Sequence, residues 1–270
     1  MPITEDKGGA KARGPNSASR YVDAPPRPVL HERRTYEPLW PAERFIVPLL
    51  RREIETAIEQ YATPARGGRK ALDIGCGGQP FRGLLEKIGY SYCGVDANPT
   101  DGIADVKCAA DEPLPDELLR RGPFDFVLCT EVLEHVGDWD AAFANFRTLL
   151  APRGRILITA PHFYQLHEEP YDFWRPTLHA IDYYGRRVGL QALYRNAAGN
   201  AWDILGTILP NCQFLAASPR LLDRAIAKAA RIAAGITNRA LLSGRLQRAV
   251  RVEGRLYLSN IVLLEKQESS

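Results

Sequence analysis

The chain has 270 residues, of which 45% are hydrophobic and 25% charged, with 22 Gly and 20 Pro. At about 150 residues per domain this leaves one or two domains, with ample chain to bury a core, and excludes a disulfide-stapled miniprotein. The net charge of +3 is too small to imply nucleic-acid binding unless the charge is concentrated locally.

Membrane and export classes are also disfavoured. The uncharged run Ile204 to Pro219 spans 16 residues and is interrupted by Pro210, Asn211 and Gln213, whereas a transmembrane helix needs about 20 apolar residues. Met1 to Ser19 mixes Lys, Glu, Asp and Gly where a secretory leader needs an apolar core. The five cysteines, Cys76, Cys93, Cys108, Cys129 and Cys212, are odd in number and include no CxxC pair, so they read as reduced thiols of a cytoplasmic protein.

Residues 1–35 are rich in Pro and Gly, lack periodicity, and are expected to stay flexible. Residues 36–68 read as an N-terminal helical cap: Phe45, Leu49, Ile54 and Ile58 recur at near-helical spacing, and Thr63 to Lys70 is a breaker-rich link. Apolar runs then follow at Ala71 to Ile74, Tyr92 to Val95, Phe124 to Cys129, Arg155 to Ala160 and Leu190 to Arg195. Helical stretches fall between them at Phe81 to Ile88, Ala141 to Leu150 and Thr177 to Val188. Strands alternating with helices predict βαβ units on a parallel sheet. After a helical insertion at about 200–254, the run Arg255 to Glu265 closes the chain as another strand.

Chemistry concentrates at strand ends. Leu72-Asp73-Ile74-Gly75-Cys76-Gly77-Gly78-Gln79-Pro80-Phe81 is a strand running into a Gly-rich turn that opens a helix. In open α/β sheets ligands bind there, and Gly75 and Gly77 let the backbone turn sharply. Pro80 occupies the third Gly position of a dinucleotide fingerprint, which weakens a pyrophosphate reading, and a ligand-free tight turn is the bland alternative. The next strand ends in Gly94-Val95-Asp96, where a carboxylate can accept both ribose hydroxyl protons; a solvated Asp before Asn98-Pro99 is the competing view.

Two further segments, Phe124-Asp125-Phe126-Val127-Leu128-Cys129-Thr130-Glu131-Val132-Leu133-Glu134-His135-Val136 and Leu149-Leu150-Ala151-Pro152-Arg153-Gly154-Arg155-Ile156-Leu157-Ile158-Thr159-Ala160-Pro161, follow in order. Together the four segments resemble the class I S-adenosylmethionine-dependent methyltransferases over about residues 70–198. Within them the chain resembles bacterial, type 11-like members that continue with H-x-x-P-x-D-x-x-R-x-T, here His167 to Thr177. The resemblance implies a Rossmann-like, doubly wound, mostly parallel seven-stranded sheet over residues 69–270 with S-adenosyl-L-methionine as cofactor. It also implies association with glycan or secondary-metabolite biosynthesis. It places Asp73, Gly75 and Gly77 at the methionine and ribose side of the cofactor, Asp96 at the ribose, Asp111 near the adenine, and Thr130 and Glu131 at the amino-acid portion, with Cys76 and Ala97 as further cofactor contacts. Gln79 departs from the commoner third Gly of the family's loop, and Pro152-Arg153-Gly154 from its Pro-Gly-Gly turn. No residue is expected to hold a metal.

Transfer to a hydroxyl of a small acceptor needs a base, and histidine suits neutral pH. His162, directly after the fifth strand, and His167 in the following loop are the catalytic candidates, each weighed against bracing the loop; His135 is expected to serve structure or the cofactor side. Tyr164, Tyr171, Asp172, Trp174 and Arg175 are candidate acceptor contacts, although Asp172 and Arg175, three residues apart, also suit a simple ion pair. A cofactor-binding protein without methyl transfer and a nicotinamide-linked oxidoreductase are the other function classes. Ser218 to Arg255 carries nine basic residues against Asp223 and Glu253, beside an apolar stripe at helical spacing. That pattern fits peripheral membrane contact through 218–252, or a lid or homodimer contact whose charges are merely solvated.

Overall fold

The computed structural model describes residues 35–62, 69–99 and 103–268. The expectations for residues 1–34 and for the link at 63–68 lie outside them. The chain order is α1 (Glu43–Tyr61), β1 (Arg69–Ile74), α2 (Arg82–Lys87), β2 (Tyr90–Asp96), β3 (Val106–Lys107), α3 (Asp116–Arg121), β4 (Phe124–Thr130), α4 (Trp139–Leu149) and β5 (Leu150–Pro161). It continues with α5 (Leu178–Arg187), β6 (Leu190–Ala198), α6 (Ala201–Ile208), α7 (Leu221–Leu242), α8 (Arg245–Ala249) and β7 (Ser259–Lys266).

The seven strands form one sheet in the order β3-β2-β1-β4-β5-β7-β6. All pairings are parallel except those of β7, which runs antiparallel to both neighbours. Because side chains alternate across a strand, successive β7 residues enter opposite layers: Val262 and Leu264 one way, Ile261 and Leu263 the other. The first layer is filled by Phe143 and Phe146 of α4, Ile181 of α5 and Leu118 of α3. The second is filled by Ile46, Leu50, Ile54 and Ile58 of α1, with Leu85 of α2 and Ile204 of α6. Helices on both faces are what make the near-continuous apolar runs of β4 and β5 necessary.

The expected elements are present with shifted ends. The last strand starts at Ser259 instead of Arg255, and α1 starts at Glu43, whose side chain turns back to accept from the Leu39 and Trp40 amides. β3, with two residues, is shorter than any period, and α3, with six, follows Pro113 and Pro115. The insertion begins with a capping box at Asn200 and Asp203 and docks on the cap through Gly206, where a Cβ would lie 2.4 Å from the Phe45 ring. No described helix is long and apolar enough to cross a membrane.

Candidate cofactor and acceptor site

The strand order turns back between β1 and β4, and the carboxyl ends of those strands open onto a crevice, the usual ligand position in such sheets. As β1 ends, the amides of Gly75 and Cys76 both donate to the Val95 carbonyl, at 2.8 and 3.0 Å, and tie the turn to β2. Gly75 has φ +71°, and a Cβ there would lie 2.3 Å from Val132 Cγ2. The Gly77 amide donates to Asp96 Oδ2 at 3.1 Å, and the Asn98 amide donates to Asp96 Oδ1 at 2.9 Å. The Gly-rich turn and the β2 carboxylate are therefore in direct contact.

Gln79, at the position of the missing Gly, takes φ +58° itself. Its Nε2 donates to the Ile103 carbonyl at 2.6 Å, so it anchors the loop after β2 and does not intrude on the turn. It also explains Gly94: a Cβ there would meet Gln79 Nε2 at 2.7 Å and Cys76 Sγ at 2.9 Å.

A cavity of about 410 Å³ runs from this turn to α1 and the loop after β5. Asp73, Gly75, Cys76, Gly77, Thr130 and Glu131 line it. Asp73 is buried and accepts from the Tyr92 hydroxyl at 2.8 Å. Burial pushes its carboxyl up to about 7, against the Tyr92 hydrogen bond, and the charge of Asp96 adds to the rise. Glu131, at φ +55°, accepts from Thr159 Oγ1 at 2.9 Å and is likewise pushed up to about 7 by burial. Glu134 is fully buried, and neither carboxylate oxygen has a hydrogen-bond partner. Burial, reinforced by the Glu131 charge, holds it well above the ordinary carboxylate range. This wall favours cationic groups.

The acceptor-side candidates separate. Tyr164 and His167 line the cavity; His162, Tyr171, Asp172, Trp174 and Arg175 do not. The His162 ring stacks on Tyr257 with centroids 4.3 Å apart, and its Nδ1 lies 2.9 Å from the Pro176 carbonyl, which makes it a brace. Arg175 grips Asp172 with two nitrogens, at 2.5 and 2.7 Å, and reaches the carbonyls of Tyr164 and Gln165. That pair is a strut for the loop. Tyr171 is buried and its carbonyl meets His135 Nδ1 at 3.0 Å, while Trp174 Nε1 donates to the Val136 carbonyl.

His167 sits on this strut. Its Nδ1 lies 3.3 Å from Asp172 Oδ2, and its amide donates to the same oxygen at 2.9 Å. Burial lowers its pKa below the usual 6.5, the Asp172 charge opposing and the Arg175 charge assisting. Asp111 accepts from the Asp138 amide at 3.2 Å, ahead of α4. It lies outside the cavity lining, as do Asp96 and Ala97 beside the turn.

Several lining residues escape sequence reasoning. Glu134 and Glu168 belong to quoted segments without being singled out; the signal was a carboxylate inside the apolar Val132 to Val136 stretch. Glu134, His135 and His167 bring ligand atoms to within 4.8 Å of one another, a set suited to a divalent cation where no metal ligand was expected. Trp40, Ile46, Val47 and Leu50 wall the cavity from the cap.

Residues 48–196 match the family model described as a methyltransferase domain. Among curated relatives, a ubiquinone biosynthesis O-methyltransferase of a Caulobacter species is 34% identical over 119 residues, covering 38% of this chain and 47% of that protein. The chain thus spans about half the length of the curated relatives it matches. Among solved structures, a SAM-dependent methyltransferase from Archaeoglobus fulgidus aligns over 80% of this chain and 94% of its own, at 16% identity and TM-score 0.47. A Haemonchus contortus phosphoethanolamine N-methyltransferase 2 in complex with S-adenosyl-L-methionine aligns over 80% and 53%, at 20% identity and TM-score 0.45. With its matched domain, motif order and sheet, the chain belongs to the methyltransferase-domain family, in the class I S-adenosylmethionine-dependent group.

Proposed function

We propose that this protein transfers a methyl group from S-adenosyl-L-methionine to a hydroxyl of a small acceptor, a sugar or a secondary metabolite. The observation that carries it is the contact between the Gly75 to Gly77 turn and Asp96, beside a cavity lined by both the buried Asp73 and His167. The site's residues suit the cofactor. Asp96 offers carboxylate oxygens for ribose hydroxyls, and Asp73 and Glu131 present an acidic wall to its cationic ammonium and sulfonium.

When bound, the cofactor supplies an activated methyl on a positively charged sulfur. What remains for the chain is alignment, exclusion of water and acceptance of one proton. Leu50, Val47 and Ile46 of α1 close the apolar side, and Tyr164 flanks the acceptor end. His167, which lines the cavity, would take the proton that the acceptor hydroxyl gives up on methylation. The adjacent Asp172 holds His167 in orientation, and burial keeps the imidazole neutral near pH 7.

The direct test is titration calorimetry with S-adenosyl-L-methionine, followed by methyl transfer to phenolic and sugar hydroxyls. Asp96→Ala should weaken cofactor binding by roughly ten- to a hundredfold, the worth of a lost charge-assisted hydrogen bond. Wild-type protein that binds no cofactor would end the proposal, and binding without transfer to any hydroxyl acceptor would leave the binding-only alternative standing. His167→Gln should lower kcat by about a hundredfold or more, leave cofactor affinity unchanged and remove the acid limb of the pH profile. His162→Gln, outside the cavity, should stay within about twofold of wild type in kcat; the reverse pattern would assign the base to His162.

A further inference from the structure

A surface helix normally turns its apolar stripe inward, but α7 does the opposite. This helix of 22 residues packs on α6 and α8 through a narrow, mostly small-residue side that includes Ala227, Ala230, Ala234 and Leu241. Leu221, Leu222, Ile226, Ile232 and Ile236 lie on the other side and are 54% to 82% exposed. Among the described residues, twelve of the twenty exposed large apolar side chains fall between Leu205 and Leu256. Scattered exposed apolar residues need no explanation, but a continuous stripe does.

The charges decide what covers it. Arg224, Lys228 and Arg231, spaced by one helical turn, are all exposed along one border of the stripe. Arg220 and Arg239 stand near its two ends, and the segment from Ser218 to Arg255 carries an excess of seven positive charges. Pairing two such stripes in a dimer would bring two strongly basic segments together. An anionic bilayer surface instead satisfies both features at once: acyl chains receive the Leu and Ile side chains, and lipid phosphates receive the Arg and Lys heads. We infer that α7 docks the protein in the plane of an anionic phospholipid membrane.

The docked helix is coupled to the site. α7 packs on α6, α6 packs on α1, and α1 walls the cavity. Membrane contact would therefore bear on the same cap that closes the apolar side of the cavity.

The full chain is tested by sedimentation with phosphatidylcholine vesicles, with and without about one third phosphatidylglycerol. Pelleting with the anionic vesicles, weakened by salt and marginal on phosphatidylcholine alone, is the expected result. Each substitution in Arg224→Ala, Lys228→Ala and Arg231→Ala should weaken binding by about fivefold. The pair Ile226→Asp and Ile232→Asp should abolish binding with the circular dichroism unchanged, because both side chains are exposed. Failure to pellet with anionic vesicles, or pelleting unaffected by the Ile pair, would overturn the inference. So would a dimer in sedimentation equilibrium that the Ile pair dissolves, since a second copy would then cover the stripe. Pelleting requires neither cofactor nor acceptor, so its outcome is independent of the methyl-transfer proposal.

Discussion

Gly75→Ala is expected to abolish measurable cofactor binding and to lower the thermal midpoint by roughly 5 to 15 °C, from two separable penalties. An L-residue at φ +71° costs about 1–2 kcal/mol in the left-handed region. The new methyl would also sit 2.3 Å from Val132 Cγ2. Val132 is β-branched and held in the turn between β4 and Leu133, so it cannot swing clear, and overpacking of this kind costs about 1–3 kcal/mol. For a chain of this size each kcal/mol lowers the midpoint by about 2–4 °C. The damage should reach the ligand because Gly75 shares the Val95 carbonyl with Cys76 and leads into Gly77, whose amide holds Asp96. Adding Val132→Ala removes the clash but not the backbone strain, so the double variant should recover part of the stability. Gly77→Ala, where a Cβ would meet no atom within 4 Å, should cost only the conformational share. Calorimetry and a thermal melt on the four proteins measure this. A Gly75→Ala variant that melts and binds like wild type would show that the turn does not hold the conformation described.

These expectations separate what a one-dimensional reading can reach from what it cannot. Gly75, Gly77 and Asp96 were legible because strand ends in a parallel sheet converge, so residues 19 to 21 apart in sequence meet as the topology demands. The layers of the sheet were legible for the same reason, since apolar runs such as Phe126 to Cys129 need cover on both faces. The acceptor side obeys no such rule. His162 and His167 are five residues apart in one loop, yet only the second reaches the cavity, because Pro176 and Tyr257 hold the first elsewhere. Nothing in the spacing of Asp172 and Arg175 reveals that their pair carries His167 and the backbone of Tyr164 and Gln165. Helical period located the α7 stripe, but a period does not say which side finds a partner; Ala227 and Leu241 found one and Ile226 did not. Glu134 was hidden for another reason: a buried carboxylate without a hydrogen-bond partner breaks the local rule, and such breaks gather at functional sites.

Cofactor affinity should rise as the pH rises from about 5 to 7 and then level off, with Asp73 as the principal cause. In the free protein burial holds the Asp73 carboxyl at about 7, far above its ordinary value near 3.8. Across that interval the folded protein keeps a proton that the unfolded chain has lost, so Asp73 stabilises the fold fully only below about pH 4. That contribution is lost as the pH climbs through 7, up to about 4 kcal/mol in all. Glu131, raised from 4.5 to about 7, pushes in the same direction. A cationic ligand group reverses the preference: it pairs with the ionised carboxylate, so binding below pH 7 must expel a proton. Affinity can then climb by as much as tenfold per pH unit for each coupled carboxyl. Calorimetry in buffers of different ionisation enthalpy would read the proton release directly. Asp73→Asn keeps an acceptor for the Tyr92 hydroxyl while removing the charge. It should therefore melt higher than wild type at pH 8 without ligand, bind cofactor at least tenfold more weakly there, and flatten the pH profile. An unchanged profile in the variant would mean that the ammonium or sulfonium is met by Glu131 or Glu134 instead. A flat wild-type profile would mean that no buried carboxyl in this wall changes charge when the ligand arrives.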